Sequence, residues 1–109
     1  MTKISFGYSI HPGDILKTKF MEPLGISSYR LAKDLHVSAP RVNDIVLGKR
    51  SISADTALRL SAYFGNYPDF WLGLQMDHDL WVAAKNEHPD PPYAKVMPRL
   101  RAAQHPSLP

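Results

Sequence analysis

Two short groups of polar side chains, at 41–43 and at 49–50, are the part of this 109-residue chain best suited to chemistry. They are Arg41 with Asn43, and Lys49 with Arg50. An arginine can donate two hydrogen bonds to the edge of a guanine, and an asparagine can pair in the same way with an adenine. Lysine and arginine also neutralise phosphate oxygens, which positions a protein on a duplex without reading its sequence. The two groups therefore favour recognition of nucleic acid, if the fold holds them on one surface.

The elements that hold these groups are indicated by two apolar patterns at helical spacing. Ser28, Leu31, Ala32 and Leu35 make up the first pattern, and Val42, Ile45 and Val46 make up the second. The gap between them leaves room only for a sharp turn, after which Ser38 can cap the second helix through its side-chain oxygen. Arg41 and Asn43 then face away from the apolar side. The stretch 27–50 therefore predicts a helix-turn-helix whose second helix has the shape and polarity that reading a major groove requires.

Three further residues favour this interpretation over a generic pair of amphipathic helices, which also occurs in many small bundles. Ala32 is small enough to let two helix backbones cross closely. Pro40 falls in the first turn of the second helix, where its missing N–H had no partner anyway. Gly48 takes the position after that helix where a left-handed backbone is common, and the cations at 49–50 follow directly.

The charge distribution agrees with a single surface that meets phosphate. The chain carries a net charge of +3, but residues 27–59 hold six cations and three anions, whereas residues 60–98 hold two cations and five anions. An ordinary mixture of solvated charges is the alternative. The basic segment coincides with the predicted helix-turn-helix, which favours nucleic acid as its partner.

Several classes of protein are excluded by what the sequence lacks. It contains no cysteine, and its five histidines are scattered without the spacing of a metal site. The aspartates on either side of His78 would point to different faces of a helix. No nucleophile elbow or glycine-rich phosphate loop occurs, so we expect no enzyme, no cofactor and no metal. Residues 1–10 lack the apolar run of a secretory signal and no segment suits a membrane span, so a cytoplasmic location is expected.

Around the motif, the sequence divides into an N-terminal arm at 1–10, a helical domain at 11–85 and a proline-rich tail at 86–109. Five helices are expected in the domain, an all-α fold, with serines at 27 or 28, 38 and 53 as caps and prolines at 12 and 68 as first-turn residues. The inward positions are expected to be Leu16, Phe20 and Leu24 in the first helix and Ala57, Leu58, Ser61 and Phe64 in the fourth.

Aromatic residues concentrate after the fourth predicted helix begins. Six of the eleven lie within nineteen residues, and most should be core: Tyr63, Phe64, Tyr67, Phe70, Trp71 and Trp81. Trp81 and Val82 come late in the fifth helix, so they either complete the core or cover a partner subunit. A single module reads too few bases for specificity, and the motif must stay free for DNA. We therefore expect a homodimer through the segment after Gly65, with Trp81 and Val82 as the candidate interface.

Three motifs resemble the HigA-type antitoxins, which belong to the Xre class of helix-turn-helix repressors. They are His11-Pro-Gly-Asp, then Gly48-Lys-Arg-Ser-Ile-Ser-Ala-Asp-Thr-Ala-Leu-Arg-Leu, and Phe70-Trp-Leu-Gly-Leu-Gln. The resemblance covers roughly 11–85 and implies a five-helix, lambda-repressor-like fold. It also implies a homodimer on an inverted repeat of double-stranded DNA in its own promoter. A RelE-like ribonuclease toxin, neutralised by direct contact, is the implied second partner.

The resemblance also assigns roles by position. Ala39, Pro40, Arg41, Asn43 and Asp44 fall where the family's recognition helix meets bases, with Ser38 at its cap, and Ser28, Lys49 and Arg50 fall where it meets phosphate. Two departures from the family pattern stand out. His36 replaces a turn glycine and must adopt a left-handed backbone. Ala39 and Pro40 replace longer polar side chains, which reduces the expected share of direct base readout.

The toxin surface is expected away from the motif. RelE-like ribonucleases bind RNA and so carry basic surfaces, which favours an acidic partner face. The candidate is the first helix, through Asp14, Lys17 and Glu22, together with the neighbouring N-terminal arm. Two other hypotheses stay open: a stand-alone repressor without a toxin, and an interaction module that has lost DNA binding. The polar residues retained at 41–43 and 49–50 argue against the second.

Overall fold

The structure, a computed structural model, describes residues 10–85 and 92–99, and the described part contains five helices and no strand. Helix α1 is one continuous run of three segments, Pro12–Ile15, the π-helical Leu16–Met21 and Glu22–Leu24; α2 is Ser28–Leu35, α3 is Ala39–Val46, α4 is Ala54–Phe64 and α5 is Pro68–Lys85. A short 3₁₀ helix follows at Pro92–Lys95. The all-α, five-helix prediction is confirmed. The predicted arm, apart from Ile10, and most of the predicted tail lie outside the described residues.

Serine side chains cap three of the helices, as the sequence predicts. The Arg30 backbone N–H donates to Ser27 Oγ at 3.0 Å, and the Arg41 N–H donates to Ser38 Oγ at 3.3 Å. The Thr56 N–H donates to Ser53 Oγ at 3.2 Å. Each contact satisfies a donor that the helix itself leaves free. Of the two candidates for the α2 cap, Ser27 is the one used.

Helix α1 departs from the predicted face because its centre is a π-helix. The Glu22 N–H reaches back to the Lys17 carbonyl, five residues earlier, instead of four. The wider turn rotates the residues that follow, so Met21 enters the core at 4% exposure while Leu24 is 62% exposed. The prediction that Leu24 faces inward was therefore wrong. Leu16, at 1% exposure, was placed correctly.

Helix α4 buries a face slightly different from the one predicted. Ala57 and Ser61 are buried as expected, but Leu60 is 1% exposed and Leu58 is 58% exposed. The buried residues at 57, 60 and 61, with the half-buried Phe64, follow the spacing of a regular amphipathic helix. Leu58 was therefore assigned to the wrong side of the helix.

The core joins the motif helices to α1, α4 and α5. Trp71 is fully buried, and its ring contacts those of Phe20 and Phe64 at centroid distances of 4.8 Å and 6.3 Å. The Trp71 indole N–H donates to Asn66 Oδ1 at 3.1 Å, so its polar atom is satisfied. Of the six clustered aromatics only Trp71 is buried, whereas Tyr63, Phe70 and Tyr67 are 38%, 41% and 80% exposed, so the prediction that most of the six lie in the core was wrong.

Candidate nucleic-acid interface

The turn between α2 and α3 sets the angle of the predicted recognition helix. His36 has φ 62°, a left-handed conformation that L residues seldom adopt, as its position predicted. The His36 N–H donates to the Lys33 carbonyl at 3.2 Å and the Val37 N–H to the Ala32 carbonyl at 3.0 Å. This pair of bonds is a Schellman motif, which ends α2 and reverses the chain. Ser38 then starts α3 after only a short connection.

A close backbone contact fixes α3 on the start of α1. A Cβ added to Gly13 would lie 1.8 Å from the Ile45 carbonyl oxygen, so only glycine permits this approach. Val42 and Ile45 are 2% and 1% exposed, which gives α3 the predicted buried side. The outer side of α3 therefore has a fixed position relative to the core.

The outer side of α3 presents the predicted base-contacting residues to different degrees. Pro40 and Asn43 are exposed, whereas Ala39 and Asp44 are half-buried. Asn43 therefore has a free side chain on a convex helix surface, which is the arrangement that major-groove contact needs. Ser38 is exposed at the helix start, although its hydroxyl already accepts from the Arg41 N–H.

Arg41 does not project freely, which the sequence analysis did not foresee. Its Nη2 donates to Asp55 Oδ2 at 2.5 Å and to Thr56 Oγ1 at 2.8 Å. The side chain is only 25% exposed. The guanidinium therefore lies against the first turn of α4, beside the recognition helix rather than above it.

Asp55 holds a second cation as well. Arg59 Nε donates to the same Asp55 oxygen at 2.9 Å, and Arg59 Nη1 donates to the Leu35 carbonyl at 2.8 Å. Hydrogen bonds from Arg59 and then Arg41 hold the pKa of the Asp55 carboxyl below its ordinary value. The network joins α2, α3 and α4 at the end of α3 where bases would be read. The sequence features that could have predicted this network are Asp55, in the first turn of α4, and the two arginines Arg41 and Arg59.

The other end of α3 is built differently. The Gly48 N–H donates to the Ile45 carbonyl at 3.0 Å and the Lys49 N–H to the Asp44 carbonyl at 2.7 Å, a second Schellman motif with Gly48 at φ 78°. Lys49 and Arg50 are exposed and form no ion pair with any residue of the described part. They are therefore available to a phosphate, as predicted from their position.

Helix α2 contributes one more predicted contact. Ser28 is half-buried at its first residue, next to the capping Ser27. Further along, Asp34 accepts from the Tyr63 hydroxyl at 2.7 Å and from Arg30 Nε at 3.2 Å. The Tyr63 hydrogen bond is the main reason that the pKa of Asp34 is lowered. These contacts fasten α2 to α4.

The comparison with known proteins agrees with this geometry. Residues 18–72 match the helix-turn-helix family. A solved structure of the Pseudomonas aeruginosa antitoxin HigA with the higBA promoter is similar, with a TM-score of 0.75 and 44% identity over 84% of this chain and 98% of that chain. The chain belongs to the HigA-type antitoxins of the helix-turn-helix family.

Curated relatives support the same membership. The chain is 48% identical over 79 residues to virulence-associated protein I of Dichelobacter nodosus, covering 72% of this chain and 73% of the relative. It is 41% identical over 69 residues to antitoxin HigA-1 of Vibrio cholerae, covering 63% of this chain and 65% of the relative. The HigA-type family consists of regulators and antitoxins and not of enzymes, as the sequence indicated.

Two residues predicted to form a dimer interface, Trp81 and Val82, lie near the end of α5 in this HigA-type chain. Trp81 and Val82 are half-buried within the single chain, and Lys85 Nζ lies 5.2 Å from the centre of the Trp81 ring. Sequence reasoning missed an exposed apolar row on α5, consisting of Leu72, Met76 and Leu80 at 37%, 58% and 62% exposure. Their spacing of four residues, the signal for one helix face, was visible in the sequence.

The candidate toxin residues Asp14, Lys17 and Glu22 are all exposed on α1. They lie along the same helix whose first turn contacts α3, so a protein bound to them would adjoin the DNA-binding motif. Within residues 10–85 and 92–99, no group of three or more histidine, aspartate or glutamate side chains is placed to hold a metal ion. No helix there is both long and apolar enough to cross a membrane.

Proposed function

We propose that this HigA-type protein is a cytoplasmic antitoxin that represses its own operon and neutralises a RelE-like ribonuclease toxin by direct binding. The observation that carries the DNA-binding half is the outer side of α3, where Asn43 is exposed and Lys49 and Arg50 follow without ion pairs in the described part. That arrangement combines a base-reading side chain with phosphate contacts at one end.

Repression through an inverted repeat requires two copies. A dimer would place the two α3 helices about 34–36 Å apart, one turn of B-DNA. Helix α5 supplies the interface in this proposal, because α3 must stay free for DNA. Trp81 and Val82 are the predicted contact residues, and the apolar row at 72, 76 and 80 offers additional area on the same helix.

The interface can be tested by sedimentation velocity on single glutamate variants. Val82→Glu and Met76→Glu each place a charge on α5. A charge at a position inside the dimer interface should shift the equilibrium from dimer towards monomer. Ala62→Glu, at an exposed position on α4, is the control and should leave the association unchanged. A wild-type protein that stays monomeric with and without DNA would contradict the dimer.

The toxin half of the proposal rests on charge and on a surface of α1 that does not include Arg41 or Asn43. Asp14 and Glu22 are exposed carboxylates on α1, and a ribonuclease that binds RNA presents cations. Co-expression with the cognate toxin tests this assignment. Asp14→Lys combined with Glu22→Lys should abolish rescue of growth while operator binding is retained. The paired variant Arg41→Ala with Asn43→Ala should do the opposite, and growth arrest with that folded, abundant variant would show that the surfaces overlap.

The DNA half is tested by a gel-shift titration on the protein's own promoter and on a random duplex of equal length. A clear preference for the promoter is expected from the wild-type chain. Equal affinity for the two duplexes would reject repression of its own operon. If promoter preference is present but no toxin co-purifies from the source cell, the alternative of a stand-alone repressor is the better description.

A further inference from the structure

The loop at 47–53, between α3 and α4, carries the two exposed cations Lys49 and Arg50 and spans a cavity. The cavity has a volume of about 230 Å³ and lies between this loop, the part of α5 around Gln75, and His11 at the start of α1. A loop that spans a cavity has no continuous packing beneath it to fix its backbone. The position of the two cations therefore depends on the few contacts that hold the loop.

The loop is held on both sides of the two cations. On the α3 side, the Lys49 N–H donates to the Asp44 carbonyl at 2.7 Å. On the α4 side, the Ile52 side chain is 2% exposed and the Ile52 N–H donates to Gln75 Oε1 at 2.8 Å. A buried apolar side chain limits how far the loop can move outwards, whereas a hydrogen bond to the backbone also fixes the direction of the peptide plane. Gln75 therefore controls the course of the loop on its α4 side.

The Gln75 side chain has three partners, two of them in the loop. Besides accepting from the Ile52 N–H, its Nε2 donates to Ser51 Oγ at 3.3 Å and to Asp79 Oδ1 at 2.9 Å. The orientation of the amide is fixed, because only its oxygen can accept from a backbone N–H. Gln75 thus connects α5 to two consecutive loop residues that lie more than twenty positions away in sequence.

Burial of this amide is difficult to explain by packing alone. Gln75 is 6% exposed and is one of only three buried polar residues in the part of the chain that the structure describes. An apolar side chain of similar size would fill the same space without the cost of removing an amide from water. A carboxylate could also accept from the Ile52 N–H, but it would add a negative charge near Lys49 and Arg50. The neutral amide holds the loop and leaves the positive charge available to DNA.

We propose that Gln75 is a positioning residue for DNA binding, which holds the loop at 47–53 so that Lys49 and Arg50 reach the phosphate backbone. This role rests on the proposed repressor function, in which these two cations meet phosphate. The side chains of the cations stay mobile, but the loop sets the backbone positions from which they extend. Because α5 is also the proposed dimer helix, Gln75 connects the phosphate contacts of each subunit to the interface and keeps their spacing constant.

The first experiment measures hydrogen exchange of the Ile52 amide by NMR on the full chain without DNA. The amide should be protected in the wild type, and Gln75→Leu should speed its exchange about tenfold, equivalent to about 1.4 kcal/mol. Asn66→Ala is the matched control, because it removes the partner of another N–H, that of the Trp71 indole, outside the loop. It should leave the protection of the Ile52 amide unchanged. An unprotected Ile52 amide in the wild type overturns the proposal without any variant having to fold.

The second experiment is a gel-shift titration that combines Gln75→Leu with changes at either end of α3. Alone, Gln75→Leu should weaken binding to promoter and random DNA alike, by about fivefold, equivalent to about 1 kcal/mol. Added to Lys49→Ala with Arg50→Ala, it should cost little more, because it acts through those cations. Added to Arg41→Ala with Asn43→Ala, it should cost its full effect. Asn66→Ala, the control for stability, should not change the affinity.

A purely structural role of Gln75 gives a different pattern. Gln75→Leu would then weaken binding equally with and without the two cations, which overturns the proposal while the proposed function stands. An unchanged affinity of a folded Gln75→Leu variant has the same consequence. Ser51→Ala, at an exposed position, removes one loop contact of Gln75 without altering the core, so it should show the same pattern at a smaller size even if Gln75→Leu does not fold. A wild-type chain that binds neither duplex contradicts the proposed function as well.

Discussion

The cations at the two ends of the recognition helix α3 differ in their pairing and exposure. At the start, Arg41 is 25% exposed and is held by Asp55 and Thr56. At the end, Lys49 and Arg50 are exposed and unpaired within the described residues. A cationic side chain that is paired with a carboxylate has a defined orientation. An unpaired cationic side chain is mobile, and no neighbouring anion offsets its charge. The difference suggests that the first end sets which sequence is bound and the second sets how tightly any DNA is bound.

This division has a physical basis in how DNA is recognised. Base readout needs donors at fixed positions, since each good pair discriminates by about 1–3 kcal/mol only when its geometry is met. Phosphate contact needs charge near the backbone and tolerates mobile side chains. Asp55 also weakens the net attraction of Arg41 to phosphate, because it places a negative charge beside it. The four predictions below test whether the two ends are separable.

The largest effect is expected from removing both polar side chains at the start of α3. Arg41→Ala with Asn43→Ala should abolish preference for the promoter over random DNA, because two contacts of about 1–3 kcal/mol each are lost. Weak, salt-sensitive binding through Lys49 and Arg50 should remain. Gel-shift titration measures both quantities. Undiminished preference for the promoter would show that α3 does not read bases through these residues.

The complementary change at the end of α3 should reduce affinity without changing selectivity. Lys49→Ala with Arg50→Ala removes two phosphate contacts, so the slope of log affinity against log salt should become shallower by about 0.9 per contact on B-DNA. Promoter and random DNA should be affected alike. Lys17→Ala with Lys19→Ala changes the charge equally on α1 and is the matched control, for which a smaller change is expected. A loss confined to the promoter would contradict the division between the two ends.

The ion pair itself is tested by a double-mutant cycle between Arg41 and Asp55. Removing an anion near DNA should strengthen binding to any duplex, whereas misplacing Arg41 should weaken binding to the promoter alone. We expect Asp55→Ala to lower the selectivity ratio and to add little further loss to Arg41→Ala, because residues that act through one contact are not additive. Asp69→Ala, at the corresponding first-turn position of α5, is the control. Fully additive losses, or unchanged selectivity in Asp55→Ala, would remove Asp55 from the recognition surface.

Much of the fold was predictable because its signals are local. The serine caps at 27, 38 and 53, the glycine stops at 25, 48 and 65 and the left-handed His36 each follow from the residue type and its neighbours. The buried faces of α2 and α3 follow from spacing alone. The prediction that Leu24 is buried was wrong because a π-helical turn, which has no clear sequence signal, rotates the end of α1. The prediction for Leu58 was wrong because the sequence of α4 is compatible with two overlapping apolar faces, one containing Leu58 and one containing Leu60. Only tertiary packing determines that the face with Leu60 is buried.

The residues of the candidate nucleic-acid interface could be predicted from the sequence, but the contacts between them could not. The exposed position of Asn43 and of the two cations after Gly48 follows from the helix period and the stop signal. The capture of Arg41 by a residue fourteen positions away in sequence depends on how α4 meets α3, which no local pattern encodes. The cavity between the ends of three elements has the same origin. Side chains that meet across elements are therefore the part of this site that required the structure.

The smallest effect concerns the acid range, where the ion pair at the start of α3 should be lost. The pKa of Asp55 is lowered in the folded chain by its hydrogen bonds from Arg59 and Arg41. A lowered carboxyl pKa stabilises the fold above the unfolded value of about 3.9, and this stabilisation disappears as the pH falls through the folded value. Urea midpoints of wild type and Asp55→Asn should therefore differ at neutral pH and converge below about pH 4. Asp55 is exposed, so the difference should be small, and Asp69→Asn, at an exposed first-turn position of α5, is the control and should run parallel to the wild type. If the Asp55→Asn curve also stays parallel to the wild type across this range, the pair does not stabilise the start of α3, and Arg41 must be oriented by Thr56 alone.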